Sequence, residues 1–176
     1  MIDNPLVRSL REICSFLDKA PIEYMLVGGM AVGIWAEPRA TVDIDFLISV
    51  RLADFDNLKR HLAESGRFVF IHEKPMLFGR TSFLKATFNS NADISVDFIF
   101  SDDFFKVEAL KRREVAQLSD FSLNIATPED LIILKMLSGR EQDRLDAMKI
   151  REIQKGKLDM HYLQTWLEKL DLKFEK

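Results

Sequence analysis

Thr41-Val42-Asp43-Ile44-Asp45-Phe46-Leu47-Ile48-Ser49-Val50 decides how the rest of the chain is read. Valine, isoleucine and phenylalanine flank acids in strict alternation, which predicts a strand over 41–50. Residues two apart on a strand project from one face, so Asp43 and Asp45 point the same way. Val42, Ile44 and Phe46 then make an apolar opposite face. Paired carboxylates repel, and the pair costs stability unless a cation sits between them. Mg²⁺ prefers such hard oxygen ligands and keeps positions open for substrate phosphates. Isolated acids are common on a solvated strand face, but the apolar flanks here imply a central strand.

Upstream, Glu23 to Val27 reads as a short buried strand that ends in Gly28-Gly29, and Met30 to Ala36 as an apolar helix closed by Pro38. A glycine pair between strand and helix lets backbone N–H groups approach an anion, to which the helix start adds donors and dipole. By itself the pair also reads as a tight turn. Asp3-Asn4-Pro5 predicts a helix start, and Leu6, Leu10, Ile13, Phe16 and Leu17 continue at helical spacing until Pro21. Downstream, Leu52, Phe55, Leu58 and Leu62 predict an amphipathic helix ended by Gly66. Strands follow over 68–71, 81–88 and 94–100, then a helix from Asp102-Asp103 to about Arg113. A hairpin spans 115–126 over Ser119-Asp120. Thr127-Pro128-Glu129-Asp130 is a strong helix start, and the remainder reads as helical with breaks near Gly139 and Gly156.

Within Ile94-Ser95-Val96-Asp97-Phe98-Ile99-Phe100 stands a lone acid in an apolar run. Asp97 is costly there without a partner, and a metal shared with Asp43 and Asp45 supplies one. Lys135 lies among Leu131, Ile132, Leu134 and Met136, where an ammonium needs an anion, either a triphosphate or an acid. Asp143 and Asp146 either decorate an exposed helix face by pairing with Arg140 and Lys149 or join the site. Lys111-Arg112-Arg113 reads as a solvated helix end or a contact for an acceptor's phosphates. His61, His72 and His161 show no ligand spacing.

The bulk properties set the frame. The 176 residues are 47% hydrophobic and include 14 phenylalanines, ample for one core. Charged residues of both signs sum to a net −3, which argues against a dedicated nucleic-acid binder. A local basic face can still hold an RNA substrate. No apolar run approaches the roughly 20 residues of a membrane span, and the first residues do not form a secretory signal. Cys14 is the single cysteine, so a reducing, cytoplasmic setting is expected.

Gly28-Gly29, then Asp43-Ile44-Asp45-Phe46, then a strand acid at Asp97 resembles the polymerase-β-like nucleotidyltransferase superfamily. More narrowly, Arg39-Ala40-Thr41-Val42-Asp43-Ile44-Asp45 resembles the Arg-x-Thr-x-Asp-x-Asp segment of the AbiEii/AbiGii-type toxin nucleotidyltransferases and their uncharacterised relatives. Thr127-Pro128-Glu129-Asp130-Leu131, Lys135 and Arg140-x-x-Asp143-x-x-Asp146 are similar to that family's C-terminal helical motifs, in which the lysine and a helical acid face the nucleotide.

The resemblance implies an α+β fold: a small mixed β-sheet with packed helices over 1–126, followed by a helical C-terminal region over 127–176 that closes a nucleotide cleft. It implies transfer of a nucleoside monophosphate from an NTP to a hydroxyl, by in-line displacement at the α-phosphate with two Mg²⁺ ions. Asp43, Asp45 and Asp97 are then the catalytic and metal-binding residues, and Gly28, Gly29, Arg39, Thr41 and Lys135 hold the nucleotide. The acceptor is an RNA 3′ end, a protein or a small molecule, and a toxin would have an antitoxin partner. The alternatives are a non-catalytic module that keeps the fold and binds a nucleotide or partner, and a metal phosphohydrolase that leaves Gly28-Gly29 unexplained.

Overall fold

The computed structural model describes residues 4–38, 40–118 and 120–174. Its element order is α1 (Pro5–Leu17), β1 (Tyr24–Val27), α2 (Gly28–Trp35), β2 (Asp43–Ile48), α3 (Phe55–Glu64), β3 (Phe68–Phe70), β4 (Met76–Phe78), β5 (Thr81–Phe88), β6 (Asn91–Phe100), α4 (Phe104–Lys111), β7 (Glu114–Leu118), β8 (Phe121–Ile125), α5 (Pro128–Ser138), α6 (Glu141–Ile153) and α7 (Met160–Lys169). A short 3₁₀ turn over Leu52–Asp54 leads into α3.

The strands join in one mixed sheet ordered β3-β5-β6-β2-β1-β8-β7, with β4 paired to β5. The acid-bearing strand β2 is central, as its apolar flanks predict. It runs parallel to β6 and antiparallel to β1. Ile44, Phe46 and Ile48 are fully buried on one face, where Phe46 meets the rings of Tyr24 and Phe98. Val42 departs from the expected pattern: it lies before the first strand residue, Asp43, and is 64% exposed.

Local chemistry sets the helix ends. The Asn4 side chain accepts from the Leu6 N–H at 2.9 Å, and Pro5 opens α1. α1 buries Leu10, Ile13 and Leu17. In α2 the glycine pair forms the first turn of the helix, two residues earlier than the sequence suggests. Thr127 caps α5, Pro128 follows it, and Gly139 at φ 73° ends it.

The helical C-terminal region packs on the sheet's own core. Trp35 Nε1 of α2 donates to the Ala126 carbonyl at 2.8 Å, and the Gln154 amide after α6 donates to the Trp35 carbonyl at 2.5 Å. Arg112 stacks 3.7 Å from the Tyr162 ring centre while its Nε donates to buried Asp130. Arg113 pairs with Glu23, and Lys111 with Glu108. Within the basic run 111–113, Lys111 is thus a solvated helix end, its side chain 64% exposed, while Arg112 is turned inward to a buried acid. Among the described residues, no helix is long and apolar enough to cross a membrane.

Candidate active site

Sheet register assembles the site. Asp45 on β2 lies opposite Val27 on β1 and Asp97 on β6, and Asp97 lies opposite Lys85 on β5. Val27, Asp45, Asp97 and Lys85 thus form one row across four strands. Asp43 pairs with Ser95 one row away on the same face. Facing residues on neighbouring strands bring their Cβ atoms to about 4.5–5.5 Å, so Asp97, distant in sequence, becomes a neighbour of Asp43 and Asp45. All three line one cleft of about 460 Å³, together with Gly28, Gly29, Thr41 and Lys135. Arg39 lies outside the described residues.

Gly28 is where backbone and acids meet. It has φ +65°, a conformation that L side chains rarely adopt. A Cβ at this position would overlap the Asp45 carboxylate. The first turn of α2 is held directly against Asp45, and the glycine is required both for its conformation and for the approach.

Lys85 is the site residue that the sequence reading lacks. Its ammonium is 2.7 Å from Asp97 Oδ1, 4.0 Å from Asp43 Oδ1 and 3.2 Å from Ser95 Oγ. The Ser95 hydroxyl in turn donates to Asp43. The partner that a lone acid in an apolar strand demands is thus supplied by the chain itself. Alternation in Thr81-Ser82-Phe83-Leu84-Lys85 puts Lys85 on the cleft face, a signal available once the order of strands is known.

Among the described residues, the Asp45 carboxylate has no hydrogen bond or ion pair, whereas those of Asp43 and Asp97 do. Burial and then the adjacent Asp97 charge push its carboxyl up to about 6; Asp43 adds to this, and Lys135 and Lys85 oppose it. Asp97 is also raised, chiefly by burial, against the pull of Lys85.

The second group of charges sits on the helical wall. Lys135 of α5 is 6% exposed, and its ammonium is 2.5 Å from Asp143 and 3.1 Å from Asp146 of α6. Arg140 Nε and Ser138 Oγ also donate to Asp143. Burial raises Asp143, but hydrogen bonds from Lys135 and Ser138 outweigh it and hold the carboxyl below its usual range. Asp143 and Asp146 are 4% and 0% exposed, so they do not decorate an exposed face; Asp143 does pair with Arg140 as expected, and both acids also meet Lys135.

A divalent cation can be tested against this geometry. Among the described residues no group of three acids, histidines or cysteines stands ready to enclose an ion. The donors are nonetheless hard oxygens, one of them lacks a counter-charge, and the charges of Asp97 and Asp43 raise the proton affinity of Asp45. That fits Mg²⁺, which is held by one or two carboxylates plus substrate phosphates rather than by an all-protein cage.

With the cleft in view, comparison with known proteins is decisive. Residues 15–151 match the family model described as "Nucleotidyl transferase AbiEii toxin, Type IV TA system". The chain belongs to the AbiEii nucleotidyltransferase family. It is therefore a nucleotidyltransferase, a class that is typically metal-dependent, and its family is that of type IV toxin–antitoxin toxins. No curated protein sequence matches it significantly. Among solved structures it is similar to ANT(2″)-Ia in complex with adenylyl-2″-tobramycin, with 11% identity, 96% of this chain and 99% of that chain covered and a TM-score of 0.62. It is also similar to an antigenic nucleotidyltransferase-like protein from Paracoccidioides brasiliensis, with 22% identity, coverage of 93% and 85% and a TM-score of 0.53. A third is the lincomycin-bound lincosamide antibiotic adenylyltransferase LnuA, with 14% identity, coverage of 83% and 96% and a TM-score of 0.51. At these identities the likeness is one of fold, and the polymerase-β-like nucleotidyltransferase architecture expected from the sequence is the one found.

Proposed function

We propose that the cleft transfers a nucleoside monophosphate from a bound NTP to a hydroxyl of a second substrate. The observation that carries this reading is the in-register pair Asp45 and Asp97, set against Gly28 at the start of α2. Carboxylates from β2 and β6 face a turn whose backbone N–H groups suit an anion, so one end of the cleft favours cations and the other phosphates.

Asp43, Asp45 and Asp97 would hold divalent metal, with two ions as the working number. Metal there supplies charge stabilisation at the reacting phosphate. Asp97 would favour loss of the attacking hydroxyl's proton; a proton affinity raised by burial supports this reading. Gly28 and Gly29 cradle the outer phosphates, with Thr41 at the mouth. Lys135 neutralises phosphate charge, a role that requires sharing its ammonium with Asp143 and Asp146. α5 and α6 close the cleft over the sheet. Family membership supports an antitoxin as a partner and a cytoplasmic setting, and the acceptor classes remain an RNA 3′ end, a protein or a small molecule.

The test is to incubate the protein with each α-³²P-labelled NTP, Mg²⁺, total RNA and lysate protein, beside Asp45→Asn. Label should enter one fraction with the wild-type protein and not with the variant. Release of inorganic phosphate from NTP without label transfer would instead establish a phosphohydrolase.

A further inference from the structure

Lys85 belongs to the acid cluster by geometry, yet it has no place in a scheme of acids, glycines and phosphate-binding cations. Its side chain leaves the middle of β5 on the cleft face and is 23% exposed. Its ammonium touches Asp97 and Ser95 and stands 4.0 Å from Asp43, whereas Asp45 is left without a cation of its own. A lysine carries a compact point charge on a flexible four-carbon stem. It can therefore leave these oxygens by side-chain rotation while the ladder between β5 and β6 stays paired.

We infer that Lys85 is the counter-ion of the acid cluster, competing with divalent metal for Asp97 and Asp43. The inference rests on the metal-dependent reading above. Without metal, the ammonium holds the β6 acid Asp97 and, through Ser95, the β2 acid Asp43, keeping mutually repelling carboxylates together on one face. When a divalent ion binds those oxygens, the ammonium must withdraw, because two cations cannot share them at this spacing. Divalent affinity in the absence of nucleotide is consequently set low by the chain itself. Removing Lys85 should raise that affinity, whereas a residue that merely supported β5 would lower it or leave it unchanged.

The experiment is titration of metal-free full-length protein with Mn²⁺ alone, followed by calorimetry, for wild type, Lys85→Met, Lys85→Gln and Lys85→Arg. The Met and Gln variants should bind Mn²⁺ about tenfold or more tightly than wild type, and Arg should stay close to wild type. In EDTA the two charge-removing variants should melt below wild type and gain more from added Mn²⁺. Wild type provides a readout that needs no variant: the ¹³Cε resonance of Lys85 should shift as diamagnetic Mg²⁺ is added. Unchanged or weaker Mn²⁺ affinity in Met and Gln, or a Lys85 resonance that stays still while Mg²⁺ binds, would overturn the inference and leave the metal reading intact. Absence of Mn²⁺ binding to wild type even with a non-hydrolysable ATP analogue would overturn the metal reading, and this inference with it.

Discussion

Gly28 and Asp45 are two halves of one device. The backbone at 28 takes a conformation that only glycine adopts cheaply, and the space where a side chain would grow belongs to the Asp45 carboxylate. Gly28→Ala should cost about 1–3 kcal/mol in strain and push Asp45 out of line. Displacements of this size cost about a hundredfold in rate, so nucleotidyl transfer should fall by about that factor while the protein still folds. Circular dichroism and the labelling assay together check this. Asp45 itself carries a pH signature. Its folded value of about 6 exceeds the ordinary value of 3.8. Between the two values the native state binds more protons than the unfolded state, so its contribution to stability falls as pH rises through that window. Above about pH 6 the ionised carboxylate destabilises the metal-free fold. In EDTA, Asp45→Asn should therefore be more stable than wild type at pH 8, by roughly 1–3 kcal/mol, and nearly equal at pH 4. Urea unfolding at the two pH values measures it, and a difference that grows toward low pH would contradict the assignment.

At the scale of elements, the contact between α5 and α6 is held by charge as well as by apolar packing. Lys135 reads in the sequence as a buried cation in need of an anion, and it has two within its own helical region. Its removal strands Asp143 and Asp146 as buried carboxylates. Breaking one partner of a buried pair costs about 3–5 kcal/mol, so Lys135→Ala should lose stability on that scale. A Lys135→Met, Asp143→Asn double variant should recover part of the loss, which denaturant midpoints will show. The sheet has the same logic with opposite legibility. The alternation of Asp43-Ile44-Asp45 is visible in the chain, while β4 at Met76–Phe78 is absent from the sequence reading and is defined by its pairing with β5.

Over the whole molecule, buried apolar side chains from every helix and nearly every strand form one continuous core that includes Leu10, Phe98, Ile132 and Trp166. We propose that the α/β part and the helical region unfold together. Trp35 sits on α2 against the Ala126 carbonyl, and Trp166 sits on α7 against Phe104 and Phe105. Fluorescence of single-tryptophan variants, each retaining one of these reporters, should give coincident urea midpoints. Separate midpoints would mean that α5–α7 form an independent unit.

Which parts could be read in the chain follows from the range of the forces involved. Strand alternation, helix caps at Asn4 and Thr127, and the stop at Gly139 depend on neighbours within a few residues, so the sequence alone determined most elements and the two-acid face of β2. The cost of an acid in an apolar run is also local, which is why Asp97 could be singled out. Register across β1, β2, β6 and β5 pairs residues from different segments of the chain, and only tertiary structure decided that Asp45, Asp97 and Lys85 share a row. The same holds for the partners of Lys135 and Arg112. A charge declares in sequence that it needs a counter-charge, but which one it meets depends on how distant segments pack.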